Sequence, residues 1–427
     1  MATSEERFDI VVIGGGPAGA STAIILARAG KRVVLLERAR FPRFQIGESL
    51  LPAGWELWRR LGVTEKIEAE GFTVKQGINF GMFNQQPEVV LLTAEYPDYF
   101  EKPYTYHVER ARFDEILLDH AAECGVEVRQ EWSVQDVMLE GDQVVGVTAG
   151  PNGEPAHAIW ASVVVDGSGR ECLIARKFGW RRPHPELNKI SHFAHFAGAW
   201  RRDPHDIVTI GEVIEGSVTT DIHTIDGGWV WYIPLRSDIT SVGVVLDARF
   251  AKGLGDSPQA RFDQAIASCR CVGQWLQGAR QAMEIKTISS IGYLTDKFHG
   301  NGFVLVGDAS MFIDPVFSAG VTLAIRGGVY AADAILEGFA HGNDFSAARL
   351  KQYEDRIRDP MERIFKMIYN WYKILEEKDA NNIILRARQI PMLRERFIVL
   401  LSGGYDKVTM EQILLAAEEP ELTYLMR

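Results

Sequence analysis

Cysteine is scarce in this chain. Four residues in 427, Cys124, Cys172, Cys269 and Cys271, are too few for a disulfide framework. Cys269 and Cys271 lie close together, but no His or Cys cluster in the sequence completes a metal site around them. No metal is expected, and the four read as reduced thiols of a cytoplasmic protein. Long apolar runs are missing as well. None approaches the ~20 residues that a membrane-spanning helix needs, so stable insertion into a membrane is not expected. The opening MATSEERFDIVVIGGG carries acidic residues and only a short apolar stretch, unlike a signal peptide. Positive charge is in deficit: 46 Lys and Arg face 57 Asp and Glu, a net charge of -11. Binding phosphate backbones needs a basic surface, which argues against a nucleic-acid partner. No Pro- or Ser-rich linker and no internal repeat marks a boundary.

What is present is a nucleotide-binding pattern. FDIVVI has the continuous apolar character of a strand buried in a parallel sheet. It runs into Gly14-Gly15-Gly16-Pro17-Ala18-Gly19, a G-x-G-x-x-G turn, followed by the helical ASTAIILARAG and a second strand, RVVLLE, ending in Glu37. Glycines let backbone amides approach a pyrophosphate, which then rests on the positive helix N-terminus. Glu37 is placed to accept hydrogen bonds from a ribose. The full order of strand, turn, helix, strand and acid makes this signal strong where the turn alone is weak.

A second segment lies far downstream. FVLVGD (303–308) is another buried strand ending in Gly307-Asp308, and DPVFSAGVTLAIRGG follows, with small residues opening a long helix. That favours FAD over NAD: Asp308 suits a ribityl chain, and the helix N-terminus suits a flavin ring or a small anion. Two nucleotide-binding segments so far apart imply one domain interrupted by an insertion. Within the insertion, SHFAHFAGAW and IVTIGEV alternate like antiparallel strands, and His192 and His195 read as sheet residues. GGWVWYIPLR (227–236) puts Trp229 and Trp231 on one face of a strand. Spacing alone leaves core packing and a shaped ligand wall both open. Near the C-terminus, Ile364, Ile368, Trp371 and Leu375 share one helical face, with Phe365, Tyr369 and Tyr372 beside it. LRARQIPMLRERF concentrates Arg386, Arg388, Arg394 and Arg396, either scattered surface charge or a docking patch for an acidic partner.

Together these residues resemble the flavin-dependent halogenases, within the wider group of FAD monooxygenases of the same fold. The resemblance is densest at GGGPAG, IGESLLP (46–52), Lys75 in GFTVKQGINF, WxWxIP (229–234) and GDASMFIDPVFSAGV (307–321), with HVERARFDEILLDHA (107–121) adding Arg110. It implies an α/β fold: a Rossmann-like FAD-binding domain of the glutathione-reductase type with an inserted antiparallel-sheet substrate subdomain and a helical C-terminal region. The corresponding boundaries are 1–75, 104–180 and 285–340 for the FAD part. Residues 76–103 and 181–284 form the sheet subdomain, and 341–427 a helical region covering a substrate tunnel. The implied flavin contacts are Gly14, Gly16, Pro17, Ala18, Gly19, Glu37, Arg38, Ser49, Arg110, Gly307, Asp308, Pro315, Gly320 and Val321. Halide is expected at Ser318, Ala319 and Gly320, with alanine where the family often has a hydroxyl residue. Trp229, Trp231 and Phe317 would wall off the chamber. Glu48 matches a glutamate near the flavin, its role open between structural and functional.

The implied reaction uses reduced FAD, oxygen and chloride or bromide to make hypohalous acid. In the family a lysine between two chambers hydrogen-bonds that acid or forms a haloamine, and Lys75 matches it; taken alone, a lysine before a strand is usually a solvated charge. The substrate would be an electron-rich pyrrole, phenol or indole, free or tethered to an acyl or peptidyl carrier protein. With no second G-x-G-x-x-G for NADPH, a partner flavin reductase is expected to supply reduced FAD. An aromatic hydroxylase and an alkene reductase of the prenyl-reductase type are the competing readings.

Overall fold

The computed structural model describes residues 6–82, 85–184, 187–206, 213–312, 314–377, 390–408 and 412. Strand Glu6–Ile13 is apolar from Ile10 onward because it lies between two parallel neighbours, Val33–Glu37 and His157–Asp166. Phe303–Leu305 and Glu127–Gln130 extend the parallel row on either side. Helices cover such a sheet on its faces, so its central strands are apolar where they pair, whereas the edge strand Glu127–Gln130 stays polar. Helix Pro17–Arg28 follows the first strand, and helix Gly320–Ala340 packs against it. Thr22 Oγ1, in the first helix, donates to Gly328 O in the second at 3.1 Å. Segments more than 300 residues apart in the chain thus meet at the end of one sheet.

The second sheet has nine strands. Lys189–Ala197, Ile239–Asp247, Gly228–Pro234, Val218–Ile225 and Thr73–Met82 are neighbours in that order. All pairings are antiparallel except that of Val218–Ile225 with Thr73–Met82. Thr73–Met82 is one unbroken strand, so a boundary between residues 75 and 76 does not hold: backbone pairing carries Lys75 into this sheet together with residues 76–82. SHFAHFA forms the expected strand, whereas IVTIGEV falls almost wholly outside the described residues.

Every residue of Gly228–Pro234 is buried. Trp229, Trp231 and Ile233 join a core with Phe193 and Ile222, while Val230 and Tyr232 join another with Phe262 and Val272. Period two is obeyed, and both faces of the strand are covered. Gly243, paired with Trp231, makes the indole's position possible: a Cβ there would stand 2.3 Å from the Trp231 ring and 2.6 Å from Phe193 Cβ.

At the C-terminal end, helix Ala347–Glu377 buries Ile364, Ile368 and Trp371, and helix Pro391–Leu401 packs against strand Gln85–Leu92 and the turn Thr93–Glu95. The Leu375 side chain lies outside the described residues, as do Arg386 and Arg388. Arg394 is held by both carboxylate oxygens of Glu95 at 2.6 Å, and Arg396 donates to the Tyr99 hydroxyl. These two arginines tie the helix to residues 95–99 rather than forming a free patch. Among the described residues no helix is long and apolar enough to cross a membrane.

Gly243→Ala should cost about 1–3 kcal/mol by overpacking, read as a lower midpoint in thermal unfolding. A wild-type midpoint would show that the Trp231 ring yields without cost.

Candidate active site

A cavity of about 900 Å³ runs between the two sheets. At one end lies the glycine turn. Gly14 has φ +95°, and a Cβ on Gly19 would fall 2.0 Å from Gly14 O, so strand, turn and helix close only with glycine at both places. Glu37 orients the turn: its Oε2 accepts the Gly15 amide and its Oε1 the Ala39 amide, each at 2.8 Å. Gly14, Gly16, Pro17, Ala18, Glu37 and Arg38 line this end. Gly19 and Gly307 do not reach the cavity surface; both act through close backbone packing, Gly307 against Ala18.

Farther along, Ser49, Arg110, Asp308, Pro315, Gly320 and Val321 line the walls. The Arg110 guanidinium is fixed by two bonds to Asp114, at 2.7 and 2.9 Å, and by one to Ile46 O at 2.7 Å. Burial raises the Asp308 carboxyl to about 6, against the opposing pull of Arg170 and Arg110. Glu48 accepts from or shares a proton with His195 Nε2 at 2.7 Å, while its other oxygen is buried without a partner. Burial works against a charged His195, yet Glu48 outweighs it and raises the imidazole's pKa.

The far wall consists of Trp229 and Trp231, ring centroids 5.9 Å apart. Trp231 Nε1 donates to Ser241 Oγ at 3.2 Å. Trp229 Nε1 donates to the Tyr372 hydroxyl at 2.9 Å, and that hydroxyl donates to Asp314 Oδ2 at 2.6 Å. Burial lifts Asp314 to about 7, only partly offset by Tyr372. Tyr372 and Asp314 were not singled out by sequence reasoning: Tyr372 reads as part of an aromatic stripe, and nothing local joins it to the tryptophans. Phe317 lies elsewhere, packed against Phe80 and Trp371 on the Lys75 side.

Lys75 is fully buried. Its Nζ donates to Ser49 Oγ at 2.9 Å and to Leu50 O at 3.0 Å, and burial lowers its pKa to about 7. A cavity of about 20 Å³ beyond it is bounded by Lys75, Phe317, Ile398 and Leu401. Ser49 therefore faces the large cavity while binding the amine that faces the small one.

The bonds from Ser49 onward have a single consistent direction. Pro234 O is 2.9 Å from His107 Nδ1, and a carbonyl only accepts, so Nδ1 carries the proton. Burial, with Lys75 nearby, pushes His107 down to about 3, so the ring is neutral and Nε2 is an acceptor. It receives the Thr220 hydroxyl at 2.8 Å, and Thr220 Oγ1 in turn receives the Ser49 hydroxyl at 2.7 Å. The chain Lys75–Ser49–Thr220–His107 thus ends on the carbonyl of Pro234, within the tryptophan motif.

Ser318 has φ +56° and its amide donates to Pro315 O at 3.0 Å. It borders the cavity, but this amide is already used. Helix Gly320–Ala340 begins next, with Ala319 as its N-cap, and first-turn amides have no acceptor within their own helix.

The sequence model of the tryptophan halogenase family matches residues 9–93 and 99–404. The chain belongs to that family, the flavin-dependent halogenases. The halogenase is 31% identical to a 1H-pyrrole-2-carbonyl-(peptidyl-carrier protein) chlorinase of Pseudomonas fluorescens, over 98% of this chain and 96% of the relative. It is also 31% identical to the corresponding brominase of Pseudoalteromonas luteoviolacea, over 93% and 92%. A flavin-dependent brominase of known structure superposes with TM-score 0.82 at 28% identity, covering 99% of this chain and all of the other. The myxobacterial chondrochloren halogenase gives 0.79 at 29%, covering 99% and 97%.

Thr220→Val should leave His107 Nε2 and the Ser49 hydroxyl buried and unpaired in this halogenase. A loss of about 1–3 kcal/mol is expected, measured by denaturant unfolding. An unchanged midpoint would refute the assigned chain.

Proposed function

We propose that this halogenase attaches chloride- or bromide-derived halogen to an electron-rich pyrrole, phenol or indole, with Lys75 delivering the halogen from the large cavity to the small one. The observation that carries this is the uncharged-leaning amine of Lys75, buried between the two cavities and bonded to Ser49. The large cavity fits FAD. Its glycine cradle at Gly14 and Gly16 suits a pyrophosphate, Glu37 a ribose, Asp308 a ribityl hydroxyl, and the unpartnered oxygen of Glu48 a polar edge. Bound and reduced, the flavin supplies with oxygen the oxidising equivalent that turns halide into hypohalous acid. With no second dinucleotide turn in the chain, a separate flavin reductase is the proposed source of reduced FAD.

The protein's own part is positional. Amides at the start of helix Gly320–Ala340, beside Ala319, are suited to hold a halide. Trp229 and Trp231, pinned through their ring nitrogens, keep the organic substrate away from the flavin end; this favours halogenation over direct ring hydroxylation or alkene reduction. Both N–H bonds of neutral Lys75 point at Ser49 and Leu50 O, leaving its lone pair free. Attack on hypohalous acid would form N–X, break X–O and release water as an amine proton joins the departing hydroxide. Protonated, the same group donates a hydrogen bond to the acid instead. A 20 Å³ space holds a water rather than a ring, so helix Pro391–Leu401 must shift to admit substrate. Likeness to the two pyrrolyl-carrier-protein enzymes supports a carrier-tethered substrate.

Lys75→Ala should abolish halogenation while FAD binding and oxygen consumption by reduced FAD persist, because neither the glycine turn nor Arg110 and Asp308 depends on it. Lys75→Arg should fail too, since guanidinium stays charged and is a poor nucleophile. Loss of one oxyanion-type contact is worth roughly 10²–10³ in rate; a larger loss favours the haloamine. Product mass spectrometry with free and carrier-bound substrates, beside stopped-flow flavin spectra, tests this, and near wild-type halogenation by Lys75→Ala would overturn it. If the neutral amine is the reactive form, halogenation should increase as pH rises through about 7, the value to which burial lowers Lys75. A halogenation step flat over roughly one pH unit either side of that value would exclude the amine nucleophile.

A further inference from the structure

The nine-stranded sheet carries a second chemical cluster on the face turned away from the large cavity. His223 follows Ile222 on strand Val218–Ile225, so the two side chains point to opposite faces; Ile222 lines the cavity. Cys269 and Cys271 flank the start of the short helix Arg270–Trp275. Sequence reasoning left these thiols without a histidine because the only link to His223 is tertiary packing. In the fold, Cys271 Sγ is 3.7 Å from Cys269 Sγ, 3.2 Å from His223 Nδ1 and 3.9 Å from Nε2. All three donor groups fall within 4.8 Å of one another.

The spacing matches a metal geometry. Tetrahedral zinc with Zn–S about 2.3 Å and Zn–N about 2.05 Å places two sulfurs about 3.75 Å apart, and sulfur and nitrogen about 3.55 Å apart. The observed sulfur separation agrees with the first distance, and His223 Nδ1, the nearer ring nitrogen, lies somewhat closer to Cys271 than the second, at 3.2 Å. A disulfide would need about 2.05 Å, and neither cysteine forms one. The pocket around His223 is shaped for it: a Cβ at Gly81, on the adjacent strand, would stand 2.1 Å from His223 Nδ1. The Trp275 ring meets the imidazole edge-on, at 5.2 Å and 75°. His223 and Cys269 are buried, and Cys271 is partly exposed, which gives an ion a way in.

We infer that His223, Cys269 and Cys271 form a zinc site with its fourth position open to water or one further ligand. Two thiolates and an imidazole select a thiophilic ion over magnesium or calcium. The ion clamps helix Arg270–Trp275 onto strand Val218–Ile225, the strand that supplies Thr220 to the Lys75 chain. Its role is structural, and the inference does not depend on the substrate or on Lys75 chemistry.

The full-length protein, exchanged against zinc and then freed of excess, should retain one zinc per chain by elemental analysis. Replacement by cobalt should give the near-ultraviolet charge-transfer band and strong visible bands of a tetrahedral thiolate site. In Cys271→Ser and in Cys269→Ser/Cys271→Ser the charge-transfer band should vanish, and zinc affinity should fall at least tenfold. Zinc should also raise the thermal midpoint of metal-free wild type. X-ray absorption on wild-type protein, which needs no variant to fold, should resolve two sulfur neighbours and one nitrogen. Substoichiometric zinc, a cobalt spectrum without the thiolate band, a spectrum unchanged in the double variant, or a Cys269–Cys271 disulfide in the resting protein would each overturn the site.

Discussion

Desolvation of one amine organises this protein. Lys75 sits where water cannot stabilise an ammonium, and burial alone is what brings its pKa down to about 7. An ion pair would cancel that effect. The groups that meet the amine are instead a hydroxyl and a carbonyl, and the residues behind the hydroxyl are Thr220 and a neutral His107. A neutral hydrogen-bonded chain satisfies the polar atoms without restoring a charge. Because it spans residues 49, 75, 107, 220 and 234, it also fixes the relation between the loop after Ile46 and the tryptophan strand.

A second buried chain does comparable work at the tryptophan wall. Trp229, Tyr372 and Asp314 join the central strand of the second sheet, the long C-terminal helix and the loop before helix Gly320–Ala340. An indole N–H buried without an acceptor is costly, so Tyr372 holds Trp229 to one orientation. Large rigid rings set in this way can separate two volumes with little motion. Asp314 also opens the segment 314–320, of which Asp314, Pro315, Val316, Ser318 and Gly320 line the large cavity.

Parts of this arrangement were legible in local pattern. The glycine turn, its flanking strands and Glu37 form a contiguous unit, and each was recognisable because its geometry is set by neighbours within about 30 residues. The alternation of Trp229 and Trp231 announced a common face. Lys75 stood out only through its resemblance to a known family; by itself it looked like a surface charge at a strand end. Ser49, a flavin contact by the resemblance, lines the large cavity and also bonds the lysine. Phe317 was grouped with the tryptophans and packs instead with Phe80 and Trp371.

The sequence by itself determined the buried parallel strands, the phosphate-binding turn and the existence of an inserted sheet, because backbone conformation and hydrophobic period are local properties. Tertiary structure alone decided which side chains meet. His107, Thr220 and Ser49 come from three distant segments, as do Trp229, Tyr372 and Asp314, while His223 and the Cys269–Cys271 pair come from two. Their types are common and their spacings carry no period. For His107, Thr220, Trp229 and His223 the register of the nine-stranded sheet assigns the face, since a shift of one residue would turn each to the other side; their partners arrive from helices and loops packed against it.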